Sequence, residues 1–445
     1  MSGIARVLLQ AGYRVSGSDL ASNDTTSKLA QLGATVYQGH TAAHISDGID
    51  AVIVSSAVPS SNEEVLAARK KNIPIVHRGE MLASLMEARQ GIAVAGAHGK
   101  TTTTAMVALA LERNGLDPTI IVGGDLNELQ GNAKLGQGEY LVAEADESDG
   151  SFLLLRPKIA VVTNIENDHL DHYRTVENIV QAFREFVGHV PADGLALLCA
   201  DDPRVREIAD NCPKHCLTYG VTSAADFIAR DIVTQSLSTQ AQIYYRGRRL
   251  GKLSLSIPGV HNVLNSLAAI AVGLELGLDF QNVADALHTF RGVHRRFEIL
   301  GEVRGITVVD DYAHHPTEIK ATLKAARQTE AKRVIVVFQP HRYTRTYYLQ
   351  DEFGTAFSDA HVIIINEIYS AGEAPIAGVT AELLVRSIEK FEQRPVIYLP
   401  EKEMIIDYLE KNATAGDLIL TMGAGNIWQV GVELVKRLRG DSPLS

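Results

Sequence analysis

Short apolar runs alternate with helical patterns along almost the whole chain, and that alternation restricts the fold more than any other feature. IAVAG, EYLVAEA, IAVVTNI, ITVVDDY, RVIVVFQ and VIIINEI are each rich in Val, Ile or Ala, with few polar breaks. Strands that are apolar on both faces must be covered on both faces, which is the condition of parallel strands joined by crossover helices. The fold class is therefore α/β. At 445 residues, and roughly 150 per domain, about three such units are expected.

The first unit, 1–89, reads as a helix over 2–12, the strand YRVSGSDL ending at Ser18 and Asp19, and a helix over 24–32. ATVYQG follows, then AVIVSSAV with Ser55 and Ser56, a helix over 62–71, and IPIVHRGE. A Rossmann-like domain opens with a strand and a Gly-rich turn. This one opens on the helix, so the expectation is a Rossmann-like domain lacking its first strand and phosphate-binding turn; a fold that simply starts with a helix fits the same pattern. The second unit, 90–292, carries a P-loop ATPase-type parallel sheet, with turn-rich alternation over 226–257 that reads as added β-hairpins. The third, 293–445, repeats the Rossmann-like pattern with ITVVDDY, RVIVVFQ, VIIINEI, PVIYLP and DLILTMGAG.

Charge and cysteine content narrow the function. Lys plus Arg number 42 against 53 Asp plus Glu, a net charge of −11 that argues against a nucleic-acid partner. Cys199, Cys212 and Cys216 are too few for a disulfide framework. Cys212-Pro-Lys-His-Cys216 lacks a second ligand pair for a structural zinc. No run is long enough for a membrane span and no signal pattern opens the chain, so no membrane partner and a cytoplasmic location are expected.

The sharpest motif is Gly96-Ala97-His98-Gly99-Lys100-Thr101, followed by Thr102, between a strand and a helix. Glycines let backbone N–H groups approach phosphate oxygens, Lys100 reaches the β/γ phosphates, and the Thr101 hydroxyl can ligate Mg²⁺. The usual eight-residue pattern wants Gly at position 94, where Val94 stands. Glu144-Ala145-Asp146-Glu147-Ser148-Asp149 closes another strand; Glu144 is placed to hold Mg²⁺, and a solvated acidic loop reads equally well. His169, in Asn164-Ile165-Glu166-Asn167-Asp168-His169, reads as a metal ligand or as a solvated loop residue. Asn262 and Asn265 lie one helical turn apart and suit a nucleotide or a helix cap. In the third unit Arg295-Arg296, Asp310-Asp311-Tyr312-Ala313-His314 and Gln339-Pro340-His341-Arg342-Tyr343-Thr344-Arg345 gather at strand ends, where Arg forks suit carboxylates or phosphates.

Taken together, GAHGKTTTTA, EADESDGSFL, TNIENDHLDHY, HNVLN, RRFE, DDYAHHPTE, QPHRYTRT and GAGNI, in that order over 96–427, resemble the Mur ligases, ATP-dependent amide-forming enzymes of peptidoglycan precursor synthesis. MSGIARVLLQAGYRVSGSDL matches the family's first domain too. EADESDGSF and DYAHHPTE favour the alanine-adding branch over the later and the recycling ligases. The resemblance implies a ligase that joins L-alanine to the lactyl carboxylate of UDP-N-acetylmuramate through an acyl phosphate, with ATP and Mg²⁺. It implies a UDP-sugar domain, where Ser18, Asp19, Ser55 and Ser56 are the candidates, then an ATP domain, then an amino-acid domain. It matches Gly96 to Thr102, Asn262 and Asn265 to nucleotide contacts, and Thr101, Glu144 and His169 to metal ligands. Arg296 and Asp311 match a C-terminal pair that meets ATP. Tyr312, His314, His341, Arg342 and Arg345 match the amino-acid pocket, with His314 as base or binding group.

The departures are two. The initiating Met1 falls where the family has an internal Met, so the UDP diphosphate site is expected to be damaged. No Lys lies between Leu170 and Val190, so the carbamylated lysine of other Mur ligases is not expected. A monomer or weak homodimer is expected. The alternatives are another Mur-type or folylpolyglutamate-type ligase, a phosphotransferase that makes no amide, or a form that binds ATP without turnover.

Overall fold

The computed structural model describes residues 1–126 and 131–440, apart from the side chains of residues 170 and 171. It divides into two compact units. The first comprises Met1–Asp231, Ala241–Ser254 and Val263–Phe290; the second comprises Ile232–Gln240, Leu255–Asn262 and Arg291–Ser445. Among the described residues no helix is long and apolar enough to cross a membrane.

The N-terminal segment holds four short strands, β1 (Ser16–Asp19), β2 (Thr35–Gln38), β3 (Val52–Val54) and β4 (Ile75–His77). They form two parallel pairs, β1 with β2 and β3 with β4, and no ladder joins the pairs. The opening helix, Ser2–Gln10, turns Gly3, Ile4 and Val7 inward. It packs on the neighbouring sheet: Asn132 Nδ2 donates to Ser2 Oγ at 2.9 Å and the Leu135 N–H to Gln10 Oε1 at 2.7 Å. At Gly3 the approach is tight, since a Cβ would stand 3.3 Å from that of Ala133.

The central sheet has ten strands. They are β5 (Gln90–Ala95), β6 (Thr119–Leu126), β7 (Gly131–Lys134), β8 (Tyr140–Glu144), β9 (Ile159–Val162), β10 (Leu195–Cys199), β11 (Cys216–Gly220), β12 (Phe227–Gln235), β13 (Ser238–Tyr245) and β14 (Arg248–Leu255). Their order is β14-β13-β12-β11-β10-β9-β5-β8-β6-β7. The ladders from β6 through β8, β5, β9, β10 and β11 to β12 are parallel, and β7 closes one edge antiparallel. Ile92–Ala95 and Ile159–Val162 are buried on both faces, which is why their sequences carry no alternation.

The second unit contains β15 (Glu298–Val303), β16 (Ile306–Asp311), β17 (Arg333–Phe338), β18 (Val362–Ile365), β19 (Ile397–Tyr398) and β20 (Asp417–Met422), in the order β15-β16-β20-β17-β18-β19. Only β15 runs antiparallel among its ladders. Two cores flank this sheet. Val334, Val336 and Phe338 enter one, and Ile335 and Val337 enter the other. An all-apolar run is thus the two-faced strand its composition predicts.

Candidate active site

In the first unit the glycine-containing loop leaves β5 at Gly96 and enters the helix Lys100–Arg113. Val94 lies inside β5, fully buried and paired with Glu144 and Val161, so the loop begins after it. Gly96 has φ +139°, and a Cβ there would stand 2.0 Å from Thr163 Oγ1; Gly99 has φ +79°, and its Cβ would stand 2.8 Å from Asn265 Oδ1. Both positions demand glycine. The His98 N–H donates to Asn164 Oδ1 at 2.8 Å, and the His98 carbonyl accepts from Thr163 Oγ1 at 2.7 Å. The first turn of the helix has no side-chain cap, which leaves its N–H groups to an anion.

Lys100 Nζ donates to the carbonyls of Gly96 at 2.5 Å and Ala97 at 3.2 Å, and to Glu147 Oε1 at 2.9 Å. Burial works against its charge, but the carboxylates of Glu147, Glu144 and Asp146 prevail and raise its pKa. The Thr101 hydroxyl donates to Glu144 Oε2 at 3.0 Å, the oxygen that also accepts the Gly123 N–H at 2.9 Å. His169 has a left-handed φ of +58°, and its Nε2 lies 3.5 Å from Glu147 Oε1. Burial disfavours the imidazolium, but Glu147 and Asp168 outweigh it and raise the pKa. Of the expected metal residues, Thr101 meets Glu144, while His169 lies against Glu147 instead. Glu147 was not singled out as a site residue. Its side chain is 4% exposed, and its Oε2 is buried without a hydrogen bond. Hydroxyl and carboxylate oxygens, one of them unpaired, fit a hard cation such as Mg²⁺.

The other expected residues of this unit are placed differently. Ser18, at the end of β1, donates to Glu64 at 2.6 Å and shares a bond with His40 Nδ1 at 2.9 Å. His44 bonds the same carboxylate at 2.6 Å and stacks on Tyr37. Asp19 is exposed and accepts the Ala21 N–H. Ser55 is half-buried just past β3, and Ser56 bonds the Asp149 carboxylate. Thr102 and Asn265 are buried. Glu64, His40 and His44 carried no motif, and only packing reveals them.

In the second unit Asn262 is buried, its Nδ2 donating to the Pro258 carbonyl at 2.7 Å, a helix-end contact. Asp311 is buried and accepts N–H bonds from Phe297 at 2.8 Å and Ala313 at 2.7 Å. Burial pushes its pKa up to about 6 against the pull of Arg296. Arg296 lies over the Tyr312 ring and 3.5 Å from Glu318. Glu318, another residue the sequence reading passed over, accepts the N–H groups of His314 and His315. His314, His341 and Tyr369 form a row of rings, His341 stacked on Tyr369 at 5.7 Å. Burial pushes His314 down to about 3 and His341 to about 4, so both imidazoles are neutral. Arg345 Nη1 bonds His341 Nδ1 at 3.2 Å. Arg342, with φ +68°, lies 4.0 Å from Glu373.

Family models match three stretches: the Mur ligase family catalytic domain over residues 1–90, the Mur ligase middle domain over 94–273, and the Mur ligase glutamate ligase domain over 295–425. The UDP-N-acetylmuramate–L-alanine ligase of Pelotomaculum thermopropionicum is 57% identical over 440 residues, 99% of this chain and 95% of that protein. The same-named ligase of Desulforamulus reducens is 53% identical over 98% of this chain and 95% of its own. The crystal structure of the UDP-N-acetylmuramate–alanine ligase from Thermotoga maritima aligns with a TM-score of 0.85 at 30% identity, over 99% of this chain and 97% of that one. A murein peptide ligase from Psychrobacter arcticus aligns less closely, with a TM-score of 0.71 at 25% identity, over 100% of this chain and 97% of that one. With full-length relatives of this identity and all three domain models in order, the chain belongs to the Mur ligase family.

Proposed function

We propose that this chain joins L-alanine to the lactyl carboxylate of UDP-N-acetylmuramate at the expense of ATP. The observation that carries this reading is the 57% identity, over 99% of the chain, to a protein named for that reaction. The phosphate loop supports it, since a carboxylate accepts an amine at neutral pH only after activation.

The γ-phosphoryl group passes to a carboxylate oxygen, giving an acyl phosphate and ADP. The amine of L-alanine then forms the C–N bond at the carbonyl carbon, the C–O bond to phosphate breaks, and the amine loses a proton. The first step brings anions together. Lys100 and the uncapped helix start at Thr101 supply positive potential against that repulsion. Thr101, Glu144 and His169 are the groups assigned to Mg²⁺, which would neutralise phosphate charge. In the second unit Arg296 and Asp311 are assigned to the nucleotide, and Tyr312, His341, Arg342 and Arg345 to the amino acid, an Arg fork taking its carboxylate. His314 at about 3 is too weak a base to take an ammonium proton, so we assign it to binding. Ser18, Asp19, Ser55 and Ser56 are assigned to the UDP-sugar.

Phosphate release should be measured with ATP, Mg²⁺ and UDP-N-acetylmuramate, with and without L-alanine. Release that needs both acceptors is the expected result. Release without L-alanine would favour an ATPase, and release with another amino acid alone would favour a different ligase.

A further inference from the structure

Glu147 has no role in the reaction as set out above, yet it lies between the residues that have. Its Oε1 receives Lys100 Nζ at 2.9 Å and has His169 Nε2 at 3.5 Å. Its backbone carbonyl accepts the Tyr173 hydroxyl at 2.5 Å, which holds the residue from behind. The side chain is 4% exposed, and Oε2 is buried with no hydrogen bond. A buried carboxylate oxygen left without a partner loses its hydration with nothing in return, and native proteins retain few of them unless a ligand, ion or water completes the shell.

We infer that Glu147 is a ligand of the divalent cation, contributing Oε2 to the ion assigned to Glu144 and His169, while its Oε1 holds the phosphate-loop lysine and that histidine in register. The inference rests on the metal reading under Proposed function. Glu144 ends β8 beside Thr101, and Glu147, three residues on, meets Lys100, so both carboxylates lie at the start of the helix Lys100–Arg113. A hard cation prefers such oxygens over imidazole. One carboxylate shared by lysine, histidine and cation links phosphate binding to metal binding in a single side chain.

The test is a Mn²⁺ titration of the full-length protein with a non-hydrolysable ATP analogue, free Mn²⁺ being followed by electron paramagnetic resonance. Glu144→Gln serves as the benchmark. Glu147→Gln, which preserves shape and removes charge, should raise the Mn²⁺ Kd at least tenfold, and Glu147→Asp should recover part of that loss. A Kd for Glu147→Gln within twofold of wild type, beside a tenfold loss for Glu144→Gln, would overturn the inference and leave the metal reading standing. Unchanged binding in both variants would overturn both. Circular dichroism identifies a variant that fails to fold, in which case Glu147→Ser, which also removes the carboxylate, is held to the same limits.

Discussion

The guanidinium of Arg295 donates through Nε to the Asp310 carboxylate at 2.8 Å, with Arg295 14% and Asp310 1% exposed. Its remaining nitrogens reach the carbonyls of Gly423 at 2.6 Å and Gly425 at 3.2 Å, and Thr421 Oγ1 satisfies the other Asp310 oxygen at 2.7 Å. Arg295 and Phe297 both have positive φ on either side of Arg296. This pair therefore holds a strained segment. Arg295→Met should cost about 3–5 kcal/mol by leaving Asp310 buried and unpaired. Adding Asp310→Asn should return a good part of that. Urea unfolding of the single and double variants checks it, and additive losses would contradict the pairing.

Lys100→Ala should lower kcat by about 10²–10³-fold or more, the scale for removing one preorganised charge or donor. It should also destabilise the fold, since Glu147 loses the cation that compensates its burial. The double variant Lys100→Ala/Glu147→Gln should regain stability without regaining turnover. Steady-state phosphate release and thermal melts separate these outcomes.

Asp311 gives a pH signature. Its folded pKa of about 6 lies above the ordinary 3.8, because burial penalises the charge. The native state therefore binds more protons than the unfolded state between pH 4 and 6, and the contribution of Asp311 falls as pH rises through that window. Relative to Asp311→Asn, wild type should lose about 2 kcal/mol of unfolding free energy between pH 4 and pH 7. Denaturant midpoints at several pH values measure this. A difference that does not change with pH would refute it.

Gly96→Ala should be more damaging than Gly99→Ala. Each forces a positive φ on alanine, at about 1–3 kcal/mol. At Gly96 the new methyl also meets Thr163 Oγ1 and the backbone of Asn164, whereas at Gly99 it meets only the Asn265 side chain, which can turn aside. Thermal melts should rank the two in that order, and Gly99→Ala should still raise the KM for ATP.

Much of this was legible in the chain itself, for physical reasons. The strand-loop-helix around Lys100 announces itself because glycines, lysine and threonine must stand in fixed order there. The parallel strands are visible because two-sided burial removes alternation. Other features leave no such mark. β10 and β11, though parallel and joined by a helix, are only five residues each, too short for a distinct apolar run, and β15 is a half-buried antiparallel edge whose pattern is diluted. Within Glu144-Ala145-Asp146-Glu147 composition gives no ranking; only packing turns Glu147 inward and leaves Asp146 half-exposed. Tyr369 and Gln339 reach their places through loops that no local motif encodes, whereas Glu318 stands in the first turn of the helix Pro316–Arg327, where it closes a capping box with His315. Gln339 bonds both Asn366 and Asn426.

The helix Ser2–Gln10 lies against β7, the outermost strand of the ten-stranded sheet. An uncovered outer strand is a template for another chain to pair with, and proteins guard such strands with helices, charges or bulges. Here Gln10 occupies the Leu135 N–H and Ser2 accepts from the Asn132 side chain, so the opening helix also covers the outer edge of the neighbouring sheet. Trimming that helix would thus expose an unpaired strand edge, and the shortened protein should self-associate where the full chain does not.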